Sequence, residues 1–145
     1  MIQFFKSIAL SLLFSSVIIF AQANKIEKWV APEYPQFAQL NEISGVVKVR
    51  VAIDKNGAVL HVWVIDIFKN NSLTQMVKPM VEEAARKLKF IPTTTAMNRD
   101  EIIYFGFHLY SNETPEHYLR PEFIEPNTII IKGKVPKFKF DPPNI

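Results

Sequence analysis

The chain has 145 residues, 48% hydrophobic and 21% charged, which suits one globular domain with a modest core rather than a disordered chain. Its net charge of +3 is too small and too scattered to argue for nucleic acid as a partner. With no cysteine it lacks a disulfide framework, a thiolate metal site and a place for an N-terminal lipid.

The N-terminus opens with Lys6, continues through an uncharged run from Ile8 to Phe20, and reaches Ala21-Gln22-Ala23. A basic start, an apolar run and a small-x-small site make a secretory signal peptide. The run is shorter than the roughly 20 apolar residues of a membrane span. Residues 1–23 are therefore expected to be removed, leaving a periplasmic or secreted chain; the alternative is an uncleaved anchor in the cytoplasmic membrane. Losing Lys6 reduces 17 basic residues to 16 against 14 acidic ones, a net charge of +2.

Residues 24–43 contain Ala31-Pro32-Glu33-Tyr34-Pro35. Each proline pushes the residue before it toward an extended conformation. Pro35 then suits the first turn of a short helix over Gln36–Asn41. From Gly45, Val47, Val49, Val51 and Ile53 alternate with Lys48, Arg50 and Ala52, the period of a strand with one buried face. Asp54-Lys55-Asn56-Gly57 is a turn, and Asn-Gly at its centre sets Ile53 opposite Leu60, Val51 opposite Val62 and Val49 opposite Val64. That register joins the two apolar faces and puts Arg50 across from Trp63.

Leu73, Met76, Val77, Met80, Val81, Ala84 and Leu88 fall three or four apart, so residues 72–90 read as helical. Pro79 inside a helix removes a hydrogen bond and clashes with the preceding turn, at about 3 kcal/mol. A break at Lys78 is expected, with the main helix from Pro79 to Leu88 and a stop at Pro92. Ile102–Tyr110 is the third strand: Ile103, Phe105, Phe107 and Leu109 on one face, Tyr104, His108 and Tyr110 on the other. Residues 111–145 hold six of the ten prolines yet stay apolar, with a short strand expected at Thr128–Lys132.

The order of these features resembles the C-terminal domain of TonB. The residues that carry the likeness are Tyr34-Pro35, Ala38, Gly45, the alternating valines, Gly57, Val62 and Val64, Glu82 with Ala84-Ala85, and Phe90-Ile91-Pro92. They span Pro32 to about Leu109. The resemblance implies an α+β fold over residues 24–110: a three-stranded antiparallel sheet of order 2-1-3, counting strands along the chain, with helices packed on one face. A Pro-rich extension, 111–145, follows. It also implies a protein-binding module rather than an enzyme. Family members grip a transporter segment as an added strand on the third strand's exposed edge, here Ile102, Ile103, Tyr104, Phe105, Gly106, Phe107, His108, Leu109 and Tyr110. The partner is then a protein or peptide, with an outer-membrane transporter or a second copy of the chain as candidates.

Two departures weigh against direct energy transduction. A transducer needs an uncleaved membrane helix and a long spacer, whereas the run here looks cleavable and about ten residues separate it from the domain. The alternative function is a structural cell-envelope protein with this fold that has lost transporter binding.

No cofactor, metal or catalytic group is expected. His61, His108 and His117 have no partner at ligand spacing, and read as ordinary strand and loop residues. Asp54-Lys55-Asn56-Gly57 lacks the remaining ligands of a calcium loop and reads as a hairpin turn. Glu82 and Glu83 are adjacent and diverge around a helix, so they are poorly placed as a catalytic pair. Trp63, Tyr104 and Tyr110 are expected to be covered by another element rather than to form a binding face. For the tail two outcomes stand open: it returns to the third strand's edge or the outer aromatic face, or it packs elsewhere or stays mobile.

Overall fold

The alternating valines form an antiparallel hairpin in the computed structural model, which describes residues 25–65, 72–94 and 97–137. Residues 1–23, expected to be a signal peptide, lie outside the described residues. Counting along the chain, the strands are β1 (Ile26–Lys28), β2 (Gly45–Ile53), β3 (Val59–Ile65), β4 (Lys89–Phe90), β5 (Arg99–Tyr110), β6 (Glu122–Ile124) and β7 (Thr128–Lys134). The helices are α1 (Gln36–Leu40) and α2 (Ser72–Arg86), with a 3-10 turn at Glu116–Leu119.

β2 pairs with β3 in the expected register over Val51–Val62, Arg50–Trp63 and Val49–Val64. It shifts at the turn, where Ile53 meets Val59 rather than Leu60. The loop is not a two-residue turn. The Asp54 carboxylate accepts the Asn56 and Ala58 N–H groups at 2.9 Å each, and the Gly57 carbonyl accepts the Phe90 N–H at 2.8 Å. Gly57 holds φ at 84°. A Cβ there would sit 1.9 Å from the Phe90 carbonyl oxygen, so only glycine fits. Phe90 is fully buried, which ties the end of the helical segment to the hairpin loop.

α2 runs unbroken through Pro79, against the expected break at Lys78. Leu73, Val77, Val81 and Ala85 are fully buried on both sides of the proline. Pro79 and Gln75 lie on the exposed side, where water can serve the carbonyl that loses its partner. Packing of one continuous apolar stripe outweighs the local penalty. The helix stops at Arg86, and Lys89–Phe90 turn into a strand paired with β1.

The sheet has five strands in the order β3-β2-β5-β7-β6, with β1 and β4 forming a separate pair. The expected three strands are its first three, in the expected order. The correction is the other two. β7 adds to β5 in parallel, and β6 pairs with β7 antiparallel, so the sheet is mixed. The line drawn at Tyr110 between domain and extension is therefore not a structural boundary: Ile129 and Ile131 belong to the same core cluster as Val49, Phe105 and Ala38. α1 and α2 contribute to this cluster from one face. On the other face Val46 is 50% exposed and Trp63 41%, so Trp63 is not covered as expected. Tyr104 and Tyr110 are half-buried.

Candidate functional site

The residues expected to form a partner-binding edge, Ile102–Tyr110, lie inside β5, and β5 is not an edge. On one side Gly45–Ile53 pairs with Phe107–Arg99. On the other, Tyr104–Tyr110 pairs position by position with Thr128–Lys134 over seven residues. The chain's own tail fills the place where an added strand would lie. Alternation explains the fit. Ile129 and Ile131 continue the buried row of Phe105 and Phe107, while Lys132 and Lys134 continue the outer row of His108 and Tyr110.

The leading segment holds this added strand in place. Tyr34 meets Phe107 edge-to-face, with ring centroids 5.4 Å apart, and its hydroxyl donates to the Ile43 carbonyl at 2.6 Å. Burial pushes that hydroxyl's pKa up to about 12. Gly133 passes directly over Tyr34; a Cβ would lie 2.7 Å from the ring. Gln39, on α1, donates to the Tyr34 carbonyl at 3.1 Å and accepts the Lys134 N–H at 3.0 Å. Trp29 stacks on Phe123 of β6, centroids 5.9 Å apart. At the start of β7, Asn127 donates to the Ile102 carbonyl at 2.9 Å and its own carbonyl accepts the Tyr104 N–H at 2.9 Å. Ion pairs Lys132–Glu122 at 3.1 Å and Lys134–Glu116 at 2.8 Å finish the hairpin's outer side.

The remaining residues of the sequence pattern serve this architecture. Pro35 precedes α1 in an extended conformation. Ala38, on the inner face of α1, is fully buried, Gly45 opens β2, Gly57 makes room for Phe90, and Pro92 follows Phe90 past the end of β4. The histidines are dispersed: His61 and His108 are exposed on different strands, and His117 lies in the 3-10 turn. Among the described residues no three of His, Cys, Asp or Glu gather at metal-binding distance. No described helix is long and apolar enough to cross a membrane. Gln39 and Asn127 escaped the sequence reading. Their partners are far away in the chain, and a polar residue in a short helix or loop carries no periodic signal.

A family model described as the C-terminal region of the Gram-negative bacterial TonB protein matches residues 30–109. The chain belongs to the TonB C-terminal family. No curated protein matches it. The family match stops at Leu109, the last residue but one of β5. β6 and β7 therefore lie beyond the TonB C-terminal region, and yet they complete its sheet. Membership makes this an envelope-associated bacterial domain concerned with transport-related protein interaction.

Proposed function

We propose that this chain is an exported, periplasmic TonB C-terminal-type domain that binds a segment of a protein partner by strand addition, in connection with energy-dependent transport across the outer membrane. Its role is binding, not catalysis. The observation that carries the reading is β7. A segment outside the family match lies on β5 in residue-for-residue register, so this sheet grows by added strands. Export rests on Ala21-Gln22-Ala23; N-terminal sequencing should find Asn24 first, and an intact Met1 in the membrane fraction would favour the anchored alternative.

The same observation supports a second reading, an envelope protein that has lost transporter binding, because β5 accepts a partner only if β7 leaves. Exposing the buried Ile129, Ile130 and Ile131 costs about 2 kcal/mol each. A disulfide staple separates the cases. Neighbouring strands lie about 4.8 Å apart, within disulfide range, and the chain has no other cysteine to interfere. His108→Cys with Lys132→Cys, paired across β5 and β7 on the outer face, would lock the edge. Peptides from transporter N-termini should bind the mature chain. Binding lost on oxidation and restored on reduction places the partner on β5. Binding unchanged places it elsewhere on the sheet. No binding in either state sinks the partner-segment reading and leaves the structural role.

A further inference from the structure

The sheet ends in two strands of opposite character. β6 has three residues, with Arg120, Pro121 and Glu122 at its start and Glu125 and Pro126 just after it. Short, charged, proline-bounded edges resist further pairing. β3 runs Val59-Leu60-His61-Val62-Trp63-Val64-Ile65, seven residues with no proline, glycine, lysine, arginine or carboxylate. It is the terminal strand on its side. Among the described residues, nothing pairs with its outer side beyond Ala58, which bridges to Lys89. Its apolar row also runs out to the edge: Val59, Val62 and Val64 are half-buried where Ile53, Val51 and Val49 across from them are fully buried, and Leu60, left unpaired by the register shift, is 46% exposed.

Charge adds a preference. Arg50 reaches from β2 across β3, its guanidinium 4.3 Å from the centre of the Trp63 ring. That stacking carries a positive charge to the border of the sheet. Lys48 follows on the same face, opposite Ile65. Among the described residues neither cation forms an ion pair.

We infer that the open edge of β3 is a binding site for an extended segment of a partner protein that alternates apolar residues with carboxylates. Main-chain groups of β3 would pair with the segment. Its apolar residues would extend the row of Val59, Val62 and Val64. Its carboxylates would fall on the opposite face, beside Trp63, where they meet Arg50 and Lys48. The inference rests on the partner-segment reading above and assigns that role to the opposite end of the sheet from the filled edge.

The test uses the mature chain, residues 24–145, with backbone amides followed by NMR and hydrogen exchange. The probes are two capped eight-residue peptides, one alternating valine with glutamate and the other valine with lysine. The glutamate peptide should protect amides within Leu60–Ile65 and leave those of Thr128–Lys134 unchanged. It should bind at least tenfold more tightly than the lysine peptide. Arg50→Gln should erase most of that difference, and Leu60→Lys, which adds a charge at an exposed site, should abolish the protection. Protection on β5 with release of β7 would overturn this inference and leave the partner-segment reading standing. Protection at Leu60–Ile65 that rises with protein concentration alone would overturn it in favour of a second copy. No shift with either probe would also overturn it; the partner-segment reading would then stand or fall on the transporter-peptide binding described above.

Discussion

The two long sides of this sheet were finished in different ways. At β5 the chain supplies its own next strand, buries isoleucines beneath it, and pins it with Tyr34 and Gln39. At β3 the strand is as apolar as the Ile102–Tyr110 part of β5 and equally without Lys, Arg, Asp or Glu, and nothing described follows it. Both satisfy the requirements for accepting an extended segment: length, alternation and no proline. What separates them is whether the partner is covalently attached. An attached strand avoids the entropy of association and can be built into the core. An unattached one must be recruited, and the stacked Arg50–Trp63 pair then becomes useful for selecting it.

The comparison breaks first, and hardest, at β7. If β7 is a permanent core strand, Ile129→Asp buries an unpaired charge and should cost more than about 4 kcal/mol, as Val51→Asp should on β2. Arg50→Asp, on the exposed outer face, should be mild. Thermal melts compare the three. A small loss for Ile129→Asp with a large one for Val51→Asp would make β7 a detachable flap.

Alkaline pH probes the clamp on β7. Tyr34 titrates at about 12 in the fold and near 10 unfolded. Below pH 10 the hydroxyl stays protonated in both states and its contribution is fully present. Between pH 10 and 12 the unfolded chain ionises first, and up to about 2–3 kcal/mol should be lost. Denaturant midpoints across that range should fall more steeply for the native chain than for Tyr34→Phe. Parallel curves would mean the hydroxyl is not sealed against Ile43.

Gln39→Ala gives the smallest effect and the most local one. It removes the acceptor for Lys134 and the donor to Tyr34, at about 1–2 kcal/mol. Hydrogen exchange should accelerate at the end of β7 more than in β2. A uniform change would show that Gln39 merely supports α1.

Much of the sheet was readable because period two is a direct image of a half-buried strand. The valines of β2, most of the register with β3 and the faces of β5 all follow from it. The errors lie where distant partners decide. The one-residue shift at Ile53 arises because Gly57 gives its carbonyl to Phe90, more than thirty residues away. Pro79 sits on the outer side of a stripe whose burial holds the helix together. The filling of β5 is one of two open outcomes in the sequence, because the apolar run Ile129-Ile130-Ile131 within Thr128–Lys132 points to a strand but not to its neighbour. The direction of β7 was hidden as well. It depends on β6 passing beyond β7's place and the hairpin folding back into it, a matter of loop path rather than pattern.

Native-state hydrogen exchange on the free chain, residues 24–145, tests the contrast between the two sides most directly. The hydrogen-bonded amides of Thr128–Lys134 should open only with global unfolding, at the same free energy as those of Val49 and Val51. The β3 amides that do not face β2 should exchange orders of magnitude faster. Fast, local opening of β7 together with slow exchange along the outer side of β3 would contradict the account.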